Sequence, residues 1–137
     1  MTLQRILVVD DEPALRRTLE RALKGHQYQV VSAADPHSAY QILGETSFDL
    51  VLLDLRLPHM AGDTFFLAIV RRWPRLLRRV ILMSGDPLPP QPDWPVELAG
   101  CPVLHKPFSL DTLLTTVANV LASAEPQSDI LEGNGNP

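Results

Sequence analysis

Cysteine is nearly absent: Cys101 stands alone among 137 residues, so no disulfide can close within the chain. Its apolar neighbours read it as a small core residue rather than a reactive thiol, and a reducing compartment suits such a chain. The N-terminal run MTLQRILVV is too short an apolar stretch for a signal peptide, and no later segment approaches membrane-spanning length. A cytoplasmic location is the expectation. An excess of basic charge is missing too, since 12 Lys and Arg against 16 Asp and Glu leave a net charge of −4. That balance argues against nucleic acid or an anionic membrane as a partner, because both reward clustered cations. The local exception is Arg71, Arg72, Arg75, Arg78 and Arg79, read as a solvated helix end and loop. No internal repeat is visible, and His26, His37, His59 and His105 share no spacing that would hold a metal. They read as surface or loop residues, with His59 and His105 placed at a pocket rim.

What is present is the composition of one globular domain: 45% hydrophobic and 20% charged residues in a length near the commonest domain size. Apolar runs of strand length alternate with stretches of helical period. Ile6 to Val9, Tyr28 to Ala33, Asp49 to Leu53, Val80 to Met83 and Pro102 to Leu104 read as strands. Between them Leu15, Leu19, Ala22 and Leu23 share one helical face, as do Phe66, Ile69, Val70 and Trp73, and Leu110, Leu113, Leu114, Val117 and Leu121. Ala39 to Leu43 is a weaker helix. Pro13 sits where a first turn tolerates it, Gly25 follows that helix, and Ser109 with Asp111 starts the last one. Trp73 and Trp94 read as packing or loop anchors.

Strands alternating with helices imply parallel pairing through right-handed crossovers, with helices on both faces of one sheet. The doubly covered sheet explains the continuous apolar run FDLVLLDL. Pro102, lacking a ladder donor, puts the last strand on an edge. After Ala122 the pattern stops, so residues 1–123 form the domain and 124–137 a flexible tail or linker.

The stretch ILVVDDEP, residues 6 to 13, ends a buried strand on three successive carboxylates. In an open parallel sheet ligands bind outside the carboxyl ends of the strands, and polar residues gather at that edge here. Asp10, Asp11 and Glu12 follow the first strand, Asp54 the third, Ser84 the fourth and Lys106 the fifth. Converging carboxylates repel one another unless a cation neutralises them. Oxygen-only donors suit Mg2+, and a lysine with a hydroxyl opposite suggests an anion bridging metal and lysine, phosphoryl above all. Singly, Asp10 reads as a helix N-cap, Lys106 as a surface lysine and Ser84 as a turn residue.

VVDDEP, LVLLDLRLPHMAG, ILMSG and HKPF, in this order and each at a strand end, resemble the receiver domain of two-component response regulators, the CheY-like superfamily, over residues 4 to 122. The resemblance implies a flavodoxin-like, doubly wound, five-stranded parallel sheet in order 2-1-3-4-5. It implies that Asp54 takes a phosphoryl group from the phosphohistidine of a histidine kinase or histidine phosphotransfer domain. By similarity Asp11 would bind Mg2+ directly, Asp10 through water, Asp54 by its carboxylate and Arg56 by its backbone carbonyl. Lys106 would hold a phosphoryl oxygen and Ser84 would swing its hydroxyl toward it. Pro107 matches the family's cis proline and Gly62 the glycine after the phosphoacceptor. Arg56 and Asp86, each two residues past a site residue, are placed to tune phosphate lifetime by pairing across the mouth, or else are two solvated loop charges.

Two departures stand out. Prolines at 87, 89, 90, 92 and 95 forbid a regular fourth helix, leaving it shortened or lost. Val103 replaces the aromatic residue that many receivers rotate on phosphorylation, so a relay of phosphate is an alternative output to a conformational change. PLPP at 87–90 reads as a surface loop rather than a polyproline ligand. Two competing functions are a docking module that is never phosphorylated and a Mg-dependent phosphatase of the aspartyl-phosphate type. The latter enzymes carry a second aspartate where this chain has Arg56. The sequence reads as a signalling protein rather than an enzyme.

Overall fold

A computed structural model describes residues 3–85 and 96–124. The elements run β1 (Arg5–Val9), α1 (Pro13–Gly25), β2 (Gln29–Ala33), α2 (Pro36–Glu45), β3 (Leu50–Asp54), β4 (Arg56–Leu57), β5 (Met60–Ala61), α3 (Gly62–Arg72), a 3-10 turn (Pro74–Arg78), β6 (Val80–Ser84), α4 (Val96–Ala99), β7 (Val103–His105) and α5 (Leu110–Ala124). Five strands form one parallel sheet in the order β2-β1-β3-β6-β7, which is 2-1-3-4-5 when only its own strands are counted. β4 and β5 form a separate antiparallel hairpin between β3 and α3.

The central strands β3 and β6 are buried along their whole length, as continuous apolar runs require when helices cover both faces. Their side chains alternate between two cores. Leu7, Val9, Val51, Leu53, Val80 and Leu82 face α2 and α3, packing against Ala39, Leu43, Phe65, Phe66 and Ile69. Ile6, Val8, Leu50, Leu52, Ile81 and Met83 face the other way, onto Leu19, Leu23, Leu113, Val117 and Leu121 of α1 and α5. The order of strands reverses at β1, which opens a crevice at the carboxyl ends of β1 and β3.

Several boundaries shift from the sequence reading. Pro102 immediately precedes β7 rather than lying inside it, and its carbonyl accepts from Leu82 N at 2.9 Å, while β7 does lie on an edge. Gly25 ends α1 instead of following it, because Gln27, at φ 69°, makes the left-handed turn. Ser109 caps α5 as expected, accepting from Thr112 N at 3.0 Å, and that helix runs to Ala124. Among the described residues α4 is a single turn. The five prolines, Asp86 and Trp94 lie outside the described residues, as does 125–137.

The arginine cluster is not uniformly solvated. Arg79 is buried, and its Nη1 donates to the Asp49 carbonyl at 3.3 Å, while Arg75 pairs with the Asp49 carboxylate at 3.5 Å. Both tie the start of β3 to the 3-10 turn. Trp73 packs on the core with Tyr40, ring centroids 4.9 Å apart, under the Arg72 guanidinium. Cys101 is partly buried against the same core, and burial pushes its thiol up to about 12, far from a reactive thiolate. No helix among the described residues is long and apolar enough to cross a membrane.

Candidate functional site

Each strand that borders the crevice ends on a polar residue. β1 is followed by Asp10, β3 ends in Asp54, β6 ends in Ser84 and β7 is followed by Lys106. Register brings them together: Val9 pairs with Leu53, Asp54 with Met83 and Ser84 with His105. The Lys106 N–H then donates to the Ser84 carbonyl at 2.7 Å, pinning the lysine to the end of β6.

Asp10, Asp54 and Ser84 are buried, with relative exposures of 0%, 4% and 3%, whereas Asp11 sits exposed at the mouth. Lys106 Nζ donates to Asp10 Oδ2 at 2.8 Å and to Asp54 Oδ2 at 3.0 Å, so one ammonium bridges two buried carboxylates. The other oxygens are held by backbone: Glu12 N reaches Asp10 Oδ1 at 2.8 Å and Arg56 N reaches Asp54 Oδ1 at 2.9 Å. The Asp10 side chain thus closes an Asx turn just ahead of α1; the N-cap itself is Glu12, which makes no side-chain cap bond, so Asp10 is not the cap.

Burial raises the Asp54 carboxyl above the ordinary aspartate value; the Arg56 N–H and Lys106 oppose the shift and the Asp10 charge adds to it. Burial alone would lower the Lys106 ammonium, but its hydrogen bonds to Asp10 and Asp54 and their charges outweigh that and raise it. The two directions describe one strained arrangement: carboxylates crowded away from water, with a single cation between them.

Carboxylate oxygens of Asp10, Asp11 and Asp54 all lie within 4.8 Å of one another. The set is hard and all-oxygen, with two members buried and one open to water, which fits Mg2+, a cation that keeps several waters and takes few protein carboxylates. Arg56 begins β4 two residues after Asp54, with its N–H on Asp54 Oδ1. Asp86 lies outside the described residues, and with it the expected pairing to Arg56.

Gly62 and Pro107 shape the walls. The Lys106–Pro107 peptide is cis. A Cβ on Gly62 would lie 2.5 Å from Leu55 Cα and 2.9 Å from the Asp54 carbonyl oxygen, so the α3 N-terminus passes too close to the end of β3 for any side chain. Gly62→Ala is expected to destabilise the domain by about 2 kcal/mol through this backbone clash, measured as a shift in denaturant midpoint at constant slope. An unchanged midpoint would contradict the close approach.

The Pro58–His59 turn, with His59 at φ 70°, directs it to a cleft of about 400 Å³ between α2 and α3, lined by His37, Tyr40, Met60 and Phe65. His105 is exposed on β7. One site residue escaped the sequence reading: Arg16, on α1, whose Nη1 donates to the Asp10 carbonyl at 2.8 Å.

The sequence profile of the response regulator receiver domain matches residues 6–118. The chain belongs to that family. This receiver is similar to the transcriptional regulatory protein KdpE of Mycobacterium tuberculosis, 32% identical over 131 residues that cover 93% of this chain and 57% of KdpE. It thus spans little more than half of that regulator's length. Among solved structures it resembles the CheY-like receiver domain protein of Methanospirillum hungatei, with a TM-score of 0.81, 26% identity and coverage of 92% and 99%. It also resembles the response regulator TrrA of Thermotoga maritima, solved in complex with Mg2+-BeF, with a TM-score of 0.73, 25% identity and coverage of 86% and 99%.

Proposed function

We propose that this receiver accepts a phosphoryl group on Asp54 from the phosphohistidine of a histidine kinase or histidine phosphotransfer domain, in the cytoplasm and with Mg2+. The observation that carries the reading is Lys106 Nζ, held 2.8 Å from Asp10 and 3.0 Å from Asp54 at the rim where strand order reverses. Such a lysine is a cation set beside a carboxylate nucleophile. The likeness to TrrA, solved with Mg2+-BeF, supports the same reading.

Asp10, Asp11, the Asp54 carboxylate and the Arg56 carbonyl would hold Mg2+, which supplies positive charge to the phosphoryl oxygens. An Asp54 carboxylate oxygen attacks phosphorus in line with the imidazole nitrogen, whose bond to phosphorus breaks. A loose transition state asks for position and for cations on the equatorial oxygens, more than for covalent help. The Arg56 N–H orients Asp54, Lys106 moves from the carboxylates onto one phosphoryl oxygen, and the Ser84 hydroxyl turns to another. The aspartyl phosphate formed is a labile acyl phosphate, suited to a reversible signal rather than to turnover of a substrate. With Val103 in place of an aromatic switch, relay of the phosphoryl group is the alternative output to a conformational change.

The test is to incubate the protein with acetyl phosphate and MgCl2 and weigh it intact. A gain of one phosphoryl group, prevented by EDTA, is expected. No gain, with donor and Mg2+ both in excess, would reject the reading.

A further inference from the structure

We propose that Arg16 is a positioning residue that sets the affinity of this receiver for Mg2+ by locking the backbone of Asp10. The inference rests on the reading of the acidic pocket given above, and goes beyond it in assigning a residue on α1 that touches neither carboxylate nor phosphate.

Every polar atom of Asp10 has a partner. Its N–H donates to the Ala33 carbonyl at 3.1 Å, Oδ1 accepts from Glu12 N at 2.8 Å, Oδ2 accepts from Lys106 Nζ at 2.8 Å and its carbonyl accepts from Arg16 Nη1 at 2.8 Å. Three of these four bonds come from neighbouring strands, the cap or the lysine. The fourth reaches back from α1, across six residues. Arg16 N donates to the Glu12 carbonyl at 3.0 Å, which opens the helix, and a helical side chain leans toward the N-terminus of its own helix. The guanidinium is thereby aimed at the loop that carries Asp10, Asp11 and Glu12.

That loop needs an external hold. Its three consecutive carboxylates repel one another and Asp54, and the relief available to them is to open the turn toward water. Lys106 restrains only the carboxylates of Asp10 and Asp54, from the far side of the crevice. Arg16 restrains the main chain and occupies no carboxylate oxygen. Mg2+ demands near-ideal octahedral geometry, so a small displacement of Asp11 relative to Asp54 lowers affinity. Residues of this kind, bonded to a ligand rather than to the metal, change metal affinity by about 10-fold to 100-fold when removed.

The guanidinium charge acts in the opposite direction, since a nearby cation disfavours Mg2+. Positioning dominates because Arg16 is only half-buried on the flank of α1, where solvent screens its field, whereas the hydrogen bond is local. The sign of the effect therefore separates the two roles.

The experiment is calorimetric titration of MgCl2 into the wild type, Arg16→Met and Arg16→Lys, with thermal unfolding of each in EDTA. Arg16→Met is expected to bind Mg2+ about 10-fold more weakly while its unfolding temperature without Mg2+ stays close to the wild type. Arg16→Lys, which keeps a donor and a charge, is expected to recover most of the affinity. Equal or tighter binding by Arg16→Met, a lysine variant as weak as the methionine one, or a loss of affinity matched by a large loss of stability in EDTA would each overturn the inference. Should Arg16→Met fail to fold, Arg16→Gln is read in its place with the same expected loss. A wild type that binds no Mg2+ would instead reject the proposed function itself.

Discussion

Asp54→Ala is expected to gain no mass under conditions in which the wild type takes up one phosphoryl group from acetyl phosphate. The pocket holds other carboxylates, and geometry says why they do not substitute. Asp10 has no exposure and both its oxygens are committed, to the Glu12 N–H and to Lys106. Asp11 is exposed at the mouth, without a described bond to lysine or backbone to orient it. Asp54 is held in the same way, by the Arg56 N–H and by Lys106 at 3.0 Å, but keeps 4% exposure where Asp10 keeps none, and it lies at the end of β3 between them. Positioning of a nucleophile contributes about 7–11 kcal/mol to such a transfer, so its removal is complete on the scale of a mass measurement. Because burial raises the Asp54 carboxyl, its favourable contribution is full below the ordinary aspartate value and is lost as pH rises through the raised folded value. Thermal unfolding of Asp54→Ala in EDTA, measured beside the mass gain, reports the state of its fold. An equal mass gain in the variant would move the phosphoacceptor elsewhere.

Lys106→Met carries the second largest effect, on rate and on stability together. Without the ammonium, Asp10 and Asp54 face each other buried with no cation between them. Removing one partner of a buried ion pair costs about 3–5 kcal/mol, and with 21% of the lysine side chain exposed about 2 kcal/mol is expected at neutral pH in EDTA. The sign with pH is set by the lysine. Its raised value means that its contribution is full below about 10.5 and is lost as pH climbs through the folded value, so the gap between wild type and variant closes only in strong alkali. It also narrows in acid, where Asp54 takes up a proton above the usual aspartate range and the repulsion ends. Phosphoryl transfer from acetyl phosphate is expected to slow by about 10²-fold, the scale of losing one donor to a developing charge. A variant as fast and as stable as the wild type would remove Lys106 from the site.

Much of this was legible before any coordinates. FDLVLLDL announces a strand covered on both faces, because a parallel sheet under two helical layers leaves no solvent side for polar residues. Asp54, Ser84 and Lys106 stood out because each ends such a run, where burial stops. What escaped the reading depends on tertiary contact. The β4–β5 hairpin has two residues per strand, too few to print a period of two. Arg79 looked solvated among four other arginines, yet a long aliphatic stem lets its guanidinium reach the Asp49 carbonyl from a buried Cα. The positive φ of His59, invisible in the string, and its place in the cleft beside α2 are likewise tertiary facts. Arg16 lies six positions from Asp10, a separation that means nothing until a strand ends and a helix begins between them.

The lysine that joins the two carboxylates hangs from the least supported strand of the sheet. β7 is three residues long, has β6 as its only partner in the sheet, and follows a proline that donates nothing. Short edge segments open at lower free energy than a core, so in amide hydrogen exchange β7 is expected to exchange ahead of β1, β3 and β6. Fraying there withdraws the ammonium from both acids and lifts Leu104 from the apolar layer beneath. An anion gripping Lys106 from outside would stitch that seam, and occupancy of the pocket would register first as quietness along the margin of the sheet.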